Sequence, residues 1–153
     1  MTDKLEFSRV MNGDLPVIWP EISQYIKSTV EYSAGRYTEK TIVDLVLSGF
    51  MQLWVVTEDQ EVLLSMVTQI MNYPTGLRVC DIILLGGRNI EKWLEFTEKN
   101  ISEWALNTMN CNSIQLIGRK GWEKMLKKLN WNPMFSMIEK SLKPSQLQET
   151  NHE

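Results

Sequence analysis

The pattern of apolar and polar positions in the first third of the chain predicts one strand followed by two helices. Leu5–Val10 predicts a strand, which the turn residues Asn12-Gly13-Asp14 close. The next segment predicts a helix with Pro20 in its first turn and with apolar residues at helical spacing, namely Ile18, Ile22, Tyr25, Ile26 and Thr29. Thr38 is expected to cap a second helix that runs through Leu47 and is ended by Gly49.

The middle of the chain predicts three strands joined by short turns. Met51–Thr57 and Glu61–Met71 are rich in β-branched and apolar residues and flank the turn Glu58-Asp59-Gln60. A further turn, which contains Pro74 and Gly76, leads into a strand over Leu77–Leu85. Because short turns join strands that run in opposite directions, we expect these strands to pair antiparallel.

The last part of the chain predicts a strand–helix–strand unit. Asn89–Met109 predicts a long helix with one apolar face, formed by Ile90, Trp93, Leu94, Thr97, Ile101, Trp104, Ala105 and Thr108. Ser113–Ile117 predicts a strand, Trp122–Leu129 a short helix and Phe135–Ser141 a last strand. A right-handed crossover should make the strands on either side of the long helix parallel. The order β-α-α-β-β-β-α-β-α-β therefore predicts an α/β (α+β) fold, with helices covering a mixed twisted sheet.

Composition and charge narrow the class of protein. The 153 residues are 43% hydrophobic and 23% charged, which predicts one globular domain over residues 1–142 and a polar, disordered tail over 143–153. A net charge of −3 argues against nucleic-acid binding. No apolar run is long enough to span a membrane and the N-terminus lacks a signal-peptide pattern, so we expect no membrane partner and a cytoplasmic location. Cys80 and Cys111 are expected to be buried thiols, which suits a reducing compartment.

The chain contains a single histidine, His152, in its polar tail. This argues against Ser-His-Asp and Cys-His catalysis and against a histidine-ligated metal site. The sequence also lacks a Gly-x-x-x-x-Gly-Lys-Ser/Thr loop and a Cys-x-x-Cys pair. Hydrolases that depend on such residues and metalloenzymes are therefore disfavoured, and we expect no metal.

The segment Arg78–Trp93 offers the best candidate for binding chemistry. An apolar strand runs into the turn Gly86-Gly87-Arg88-Asn89, which opens the long helix. Backbone N–H groups at a helix N-terminus favour an anion, and glycines let that anion approach the backbone. The alternative is a tight connection with Asn89 as a simple helix cap. Arg88 is either a clamp for the anion or a solvated turn residue.

Asp81 is the second candidate, because it is a carboxylate inside an apolar strand. Such a group is costly to bury unless it is paired or functional. It could deprotonate an amine. The alternatives are an exposed strand end or an ion pair with Arg78 or Arg36.

The element order resembles that of the GNAT (Gcn5-related N-acetyltransferase) fold over nearly the whole chain, to about Leu142. The resemblance implies that the fourth strand and the following turn bind acetyl-CoA, the acyl donor. The implied coenzyme-binding residues are Ile83, Leu84, Leu85, Gly86, Gly87, Arg88, Asn89 and Arg119, with amides near Leu84–Gly86 polarising the thioester carbonyl. The region between the first two helices lies over the acceptor pocket in this fold, which implies acceptor contacts from Tyr32, Arg36 and Tyr37, with Trp122 also shaping the site. For Tyr32, Arg36 and Tyr37 the alternative is surface-loop polarity, and for Arg119 it is an ion pair with Glu123.

Two positions depart from the family pattern. The turn Leu85–Asn89 is shorter than the usual Arg/Gln-x-x-Gly-x-Gly/Ala motif. When Asn130-Trp131 is aligned with the usual Gly-Phe pair, Leu126 stands where a tyrosine acid is expected. Because leucine cannot protonate a thiolate, that proton would have to come from water or another group.

A closer resemblance is to small GNAT-like proteins encoded by tailed bacteriophages, an internal virion protein among them. It is carried by Gly86-Gly87, Trp104-Ala105, Asn110-Cys111 and the segment Gly118–Trp122. The function implied is acyl-CoA-dependent N-acylation of an amine by direct attack. The alternative is a GNAT-like phage structural or accessory protein without catalysis that acts through contacts with phage proteins, in the host cytoplasm or in the virion.

Overall fold

Five strands form one mixed sheet in the computed structural model, which describes residues 5–144. The strands lie in the order β1-β2-β3-β4-β5, antiparallel from β1 to β4 and parallel between β4 and β5. Their bounds are β1 Leu5–Arg9, β2 Met51–Glu58, β3 Glu61–Asn72, β4 Arg78–Gly87 and β5 Ser113–Leu116. The predicted mixed sheet with its parallel crossover is confirmed.

Four α-helices accompany the sheet in the described part of the chain, with bounds α1 Leu15–Val30, α2 Glu39–Leu47, α3 Ile90–Glu103 and α4 Gly121–Lys127. A 3₁₀ turn at Asn12–Asp14 precedes α1, and α3 continues as a π-helical segment over Trp104–Thr108. The chain divides into two units. The first ends at Arg119 and holds the sheet with α1 to α3, and the second begins at Lys120 and holds α4.

The core of the first unit combines apolar side chains of α1 and α2 with those of the sheet. Ile22 and Ile26 of α1, Ile42 of α2 and Val67 of β3 are all at most 1% exposed. This is the apolar face that helical spacing predicts for α1 and α2. α2 begins as expected, because the Thr38 side chain accepts a hydrogen bond from the Thr41 N–H at 3.1 Å.

The long helix buries most of its predicted stripe. Trp93, Leu94, Thr97, Ile101 and Ala105 are buried, whereas Thr108 at the end of the stripe is exposed. The ring of Trp104 meets the ring of Trp54 edge-on, with 4.7 Å between centroids. Trp54 of β2 also stacks on Phe7 of β1 at 4.9 Å, so these aromatic rings serve packing.

The prediction that Pro20 lies in the first helical turn is wrong. α1 begins at Leu15, so Pro16 is its second residue and Pro20 lies inside the helix. Proline lacks an N–H, so the Pro16 carbonyl has no donor four residues later. Both prolines are exposed, which leaves that carbonyl accessible to water.

The predicted last strand over Phe135–Ser141 is also wrong. The segment is irregular, and Phe135 and Ile138 are 92% and 93% exposed. A high β-propensity produces a strand only when a neighbouring strand receives its backbone hydrogen bonds. Among the described residues of the second unit, 120–144, no strand is present to do so. Most of the predicted tail, residues 145–153, lies outside the described part of the chain.

Candidate functional site

The edge of β4 is the feature that distinguishes the candidate site. β5 pairs with β4 only from Val79 to Ile82, although β4 continues to Gly87. Within residues 5–144, no strand pairs with the β5 side of β4 beyond Ile82. β4 also contains a bulge, because Leu84 faces Val67 whereas Ile82 faces Thr68, which makes Ile83 the additional residue.

The direction of the β4 amides follows from one hydrogen bond. The Arg88 N–H donates to the Leu63 carbonyl of β3 at 2.8 Å. Because successive residues of an antiparallel strand point their N–H groups to opposite sides, those of Leu85 and Gly87 point away from β3. The two amides therefore point toward the edge of β4 that lacks a paired strand.

The two glycines lie in β4 and not in the turn, which corrects the sequence-based placement. Gly86 faces Ser65 and Gly87 faces Leu64 in the ladder with β3. A Cβ at Gly86 would lie 2.6 Å from Cγ2 of Thr29, and a Cβ at Gly87 would lie 2.3 Å from Cβ of Leu64. Close packing of β4 against α1 and β3 therefore requires both glycines. The connection between β4 and α3 consists of only two residues.

Those two residues are Arg88 and Asn89. Asn89 is the N-cap of α3 in position, with a left-handed φ of 51°, and its side chain makes no capping hydrogen bond. The Arg88 guanidinium forms an ion pair with Glu61 at the start of β3. Hydrogen bonding to Glu61, with a smaller contribution from Tyr25, raises the pKa of Arg88. The first turn of α3 follows directly, so its N–H groups lie beside the end of β4.

Asp81 is buried between neighbouring strands, so the alternative of an exposed strand end does not hold. It is 9% exposed and lies between Gln69 of β3 and Gln115 of β5 in the strand register. Its Oδ1 atom is buried and has no hydrogen-bond partner among the described residues. Burial raises the pKa of Asp81, and a hydrogen bond from Gln115 opposes that rise. Asp81 thus lies one residue before the last β4–β5 pair.

Arg78, the first suggested ion-pair partner of Asp81, makes other contacts. Its Nε donates to the Met109 carbonyl at 2.6 Å, and its Nη1 donates to Asn72 Oδ1 at 2.7 Å. These bonds tie the start of β4 to the segment that precedes β5 and to the end of β3. Arg78 therefore has a structural role at the end of the sheet away from Gly87.

The predicted acceptor residues separate into different environments. Tyr32, which follows α1, is 61% exposed and lies under the Arg119 guanidinium, 3.9 Å from its Cζ atom to the ring centroid. Tyr37 packs partly against the core, and Arg36 donates to the Ala34 carbonyl at 2.9 Å. Trp122 belongs to α4 in the second unit and is half-buried. Arg119 and Tyr32 are the pair that the structure brings together.

Sequence reasoning missed two residues beside the end of β4, Tyr25 and Glu61. The Tyr25 hydroxyl lies 3.3 Å from the Val62 carbonyl, and Glu61 pairs with Arg88. Neither residue stands in a motif that signals its position. Only the pairing of β3 with β4 and the packing of α1 on both strands bring them to this corner.

Other chemistry is limited in the described part of the chain. Cys80 and Cys111 are free buried thiols, as predicted, and burial raises the pKa of Cys80 to about 12. Residues 5–144 contain no group of three or more His, Cys, Asp or Glu side chains able to hold a metal ion. No helix in these residues is both long and apolar enough to cross a membrane.

Comparisons with known proteins place the fold. No family model matches the chain, and neither does any curated protein. Solved structures do match. A ribosomal-protein-alanine N-acetyltransferase from Brucella melitensis biovar Abortus 2308 has a TM-score of 0.65 at 10% identity, covering 92% of this chain and 99% of its own.

Two further matches were solved with a coenzyme. The aminoglycoside N-acetyltransferase AAC(6')-Iy in complex with CoA has a TM-score of 0.68 at 10% identity, covering 92% of this chain and 96% of its own. A predicted acetyltransferase from Clostridium acetobutylicum, solved with acetyl-CoA, has a TM-score of 0.61 at 11% identity and covers 90% and 96%. The chain therefore has the fold of the GNAT acetyltransferases, as its element order predicted.

Proposed function

We propose that this protein is an N-acetyltransferase that transfers an acetyl group from acetyl-CoA to an amine. The observation that carries the proposal is the edge of β4 without a paired strand, which leads directly to the N-terminus of α3. The GNAT fold of the chain supports it, as do matched structures that hold CoA or acetyl-CoA.

The residues at this edge suit an extended, amide-containing arm that ends in phosphates. The N–H groups of Leu85 and Gly87 offer donors to the arm, with Ile83 and Leu84 providing the adjacent bulge. The positive end of the α3 dipole, preceded by Asn89, favours the pyrophosphate. Gly86 contributes indirectly, since its lack of a side chain lets α1 pack against β4.

Two cations complete the proposed coenzyme site. Arg88 lies at the end of β4 and Arg119 follows β5, which is parallel to β4. Each guanidinium follows the carboxyl end of its strand and is proposed to turn toward the phosphates, Arg88 from its ion pair with Glu61 and Arg119 from its stacking on Tyr32. Charge-assisted hydrogen bonds from arginine suit a pyrophosphate.

Bound acetyl-CoA supplies an activated acetyl thioester whose sulfur can leave. The Leu85 N–H is the donor proposed to polarise the thioester carbonyl, since of the amides over Leu84–Gly86 it points to the open edge. Asp81 lies four residues before Leu85, about 13 Å along the strand, so it is proposed to receive the proton of the attacking amine through water as the new C–N bond forms and the C–S bond breaks. Leu126 offers no proton, so water returns one to the departing thiolate.

Asp81 fits the task of a base in two respects. Burial raises the pKa of Asp81, which makes its carboxylate a better proton acceptor. Its Oδ1 atom accepts no hydrogen bond from the described residues. The acceptor is proposed to contact Tyr32, Arg36 and Tyr37 of the first unit, and a role for Trp122 of the second unit stays a prediction. The amine class is supported by a matched aminoglycoside acetyltransferase solved with sisomicin. A phage origin, a virion location and phage protein partners stay predictions.

Calorimetric titration with CoA and acetyl-CoA tests the binding proposal. Wild type should bind both, and the double substitution Arg88→Glu with Arg119→Glu should weaken CoA binding by more than tenfold, since it removes two cations and adds two anions beside the phosphates. Lys40→Glu, at an exposed position of α2, is a control charge reversal of half that size and should leave CoA binding unchanged. Absence of binding by wild type at millimolar CoA would refute the proposal.

Catalysis requires a separate measurement. Release of free CoA thiol from acetyl-CoA is followed against a panel of amines, including a polyamine, an aminoglycoside and a peptide with a free N-terminus. Asp81→Asn should retain CoA binding and lose most of the turnover, about 10²-fold or more for a general base. A variant with undiminished turnover would remove Asp81 from the mechanism.

A further inference from the structure

We propose that Glu61 sets the coenzyme affinity of this site by competing with phosphate for the Arg88 guanidinium. The inference rests on the proposed function and adds an affinity-determining residue to it. Glu61 would act selectively on ligands that carry phosphate, because only these require Arg88.

The direct contact is between Glu61 Oε1 and Arg88 Nη2. Both side chains are about half exposed, at 64% for Glu61 and 52% for Arg88. The pair is thus accessible to a ligand that approaches the end of β4. The same guanidinium belongs to the residue that directly precedes Asn89, the N-cap of α3.

The backbones of both residues are fixed, which explains why the pair forms. Glu61 is the first residue of β3, and Arg88 follows the last residue of β4. Arg88 is held by its N–H bond to the Leu63 carbonyl at 2.8 Å, and the adjacent pair Leu64–Gly87 belongs to the ladder. No backbone ordering is therefore needed to bring the two charges together, and the cost of forming the pair is the rotamer freedom that the two long side chains lose.

The ion pair has two consequences for a bound pyrophosphate. The ligand must share or displace the carboxylate before Arg88 can bind it with both arms of its guanidinium. The Glu61 charge also remains beside the site after displacement and repels the phosphates within a Debye length. Both effects weaken binding, and for an exposed pair they amount to about two- to fivefold in Kd.

Glu58 provides a matched control, since it lies directly opposite Glu61 across the hairpin of β2 and β3. Glu58→Gln and Glu61→Gln remove the same charge from the same turn, and the Arg88 contact belongs to Glu61. The two variants therefore separate the specific pair from a general change in local charge.

The experiment measures Kd by calorimetry for CoA and for pantetheine, which lacks the phosphates. Glu61→Gln should tighten CoA binding about two- to fivefold and leave pantetheine unchanged, with Glu58→Gln close to wild type. In an Arg88→Gln background the gain from Glu61→Gln should fall to the small value that local charge alone produces.

Three outcomes would overturn the inference. These are a CoA affinity for Glu61→Gln at or below that of wild type, an equal gain for pantetheine, and an equal gain for Glu58→Gln. Each of them leaves acetyl-CoA binding by the wild type intact. Failure of every variant, wild type included, to bind CoA refutes the proposed function instead, so the two failures are distinguishable.

Discussion

Replacement of Gly87 by alanine should destabilise the protein strongly, for a reason that the geometry makes specific. An added Cβ would lie 2.3 Å from Leu64 Cβ, 2.5 Å from the Leu63 carbonyl oxygen and 2.6 Å from Leu64 Cα. Two of these three atoms belong to the backbone of β3. A side-chain rotation cannot remove the overlap, and the ladder between β3 and β4 would have to separate.

The expected magnitude follows from the cost of overpacking. Insertion of a methyl group into a packed region costs typically about 1–3 kcal/mol, and contact with backbone places Gly87→Ala at about 3 kcal/mol or more. For a chain of this length that corresponds to a Tm lowered by about 6–12 °C. Gly86→Ala should cost less, because its nearest atom is the Thr29 methyl Cγ2 at 2.6 Å and the Tyr25 carbonyl oxygen is at 3.0 Å.

Urea denaturation and thermal unfolding followed by circular dichroism provide the measurement. Gly13→Ala is the matched control, since a Cβ there meets no atom within 4 Å. The control should stay within about 1 kcal/mol of wild type. A Gly87→Ala protein as stable as the Gly13→Ala protein would refute the packing argument.

The close packing around Gly87 also decides which variants can test the coenzyme site. A carboxylate introduced at position 87 to repel phosphate would disturb the β3–β4 ladder, and lost binding would then report lost structure. Charge reversals at Arg88 and Arg119 avoid this ambiguity, because both side chains are exposed.

Of four further predictions, two concern the titration of Asp81, one the cysteines and one the cap of α2. Burial raises the pKa of Asp81 above 3.8, so the folded state loses stability as the pH rises through the folded pKa. Asp81→Asn should therefore stabilise the protein at pH 7 and lose this advantage toward pH 3.8. A difference in urea unfolding between the two proteins that does not change with pH would contradict the prediction. Gln115→Leu should raise the pKa of Asp81 further in a carbon-13 NMR titration, whereas a lowered value would show that Gln115 does not stabilise the carboxylate. Burial raises the pKa of Cys80 to about 12, and Cys111 is also buried. Both thiols should therefore react slowly with a thiol reagent at pH 8 in the folded protein and rapidly in urea. A rapid reaction of the folded protein would place a thiol at the surface. Thr38→Ala removes a capping box and should lower the free energy of unfolding in urea by about 1 kcal/mol. Lys40→Ala is an exposed control on the same helix. Equal stabilities of the two variants would show that the cap contributes little.

Local signals in the sequence determine much of this fold. Thr38 and Gly49 bound α2 because capping depends on residues a few positions apart, and Gly49 adopts a φ of +90°. Short turns between apolar runs determine the antiparallel strands, and a long amphipathic helix between two strands determines the parallel crossover. Asp81 was identified from sequence in the same way, as a charge in an apolar run.

The tertiary structure decided what local patterns leave open. Whether Phe135–Ser141 forms a strand depends on a partner strand, which the described part of its unit does not contain. Whether Gly86 and Gly87 lie in a strand or a turn depends on how closely α1 and β3 approach β4. Backbone hydrogen bonding and steric overlap between distant segments control both outcomes.

The features of the candidate site also fall into two groups, those that the sequence indicated and those that only the tertiary structure brought together. The sequence alone indicated β4 and the start of α3, because an apolar strand, glycines and a helix start lie within one short segment. The register that sets Asp81 beside Gln115, and the pairing that sets Glu61 against Arg88, join residues at least 27 positions apart. No local pattern encodes such contacts, because they depend on strand order, bulges and helix packing, which are settled only when the whole sheet forms.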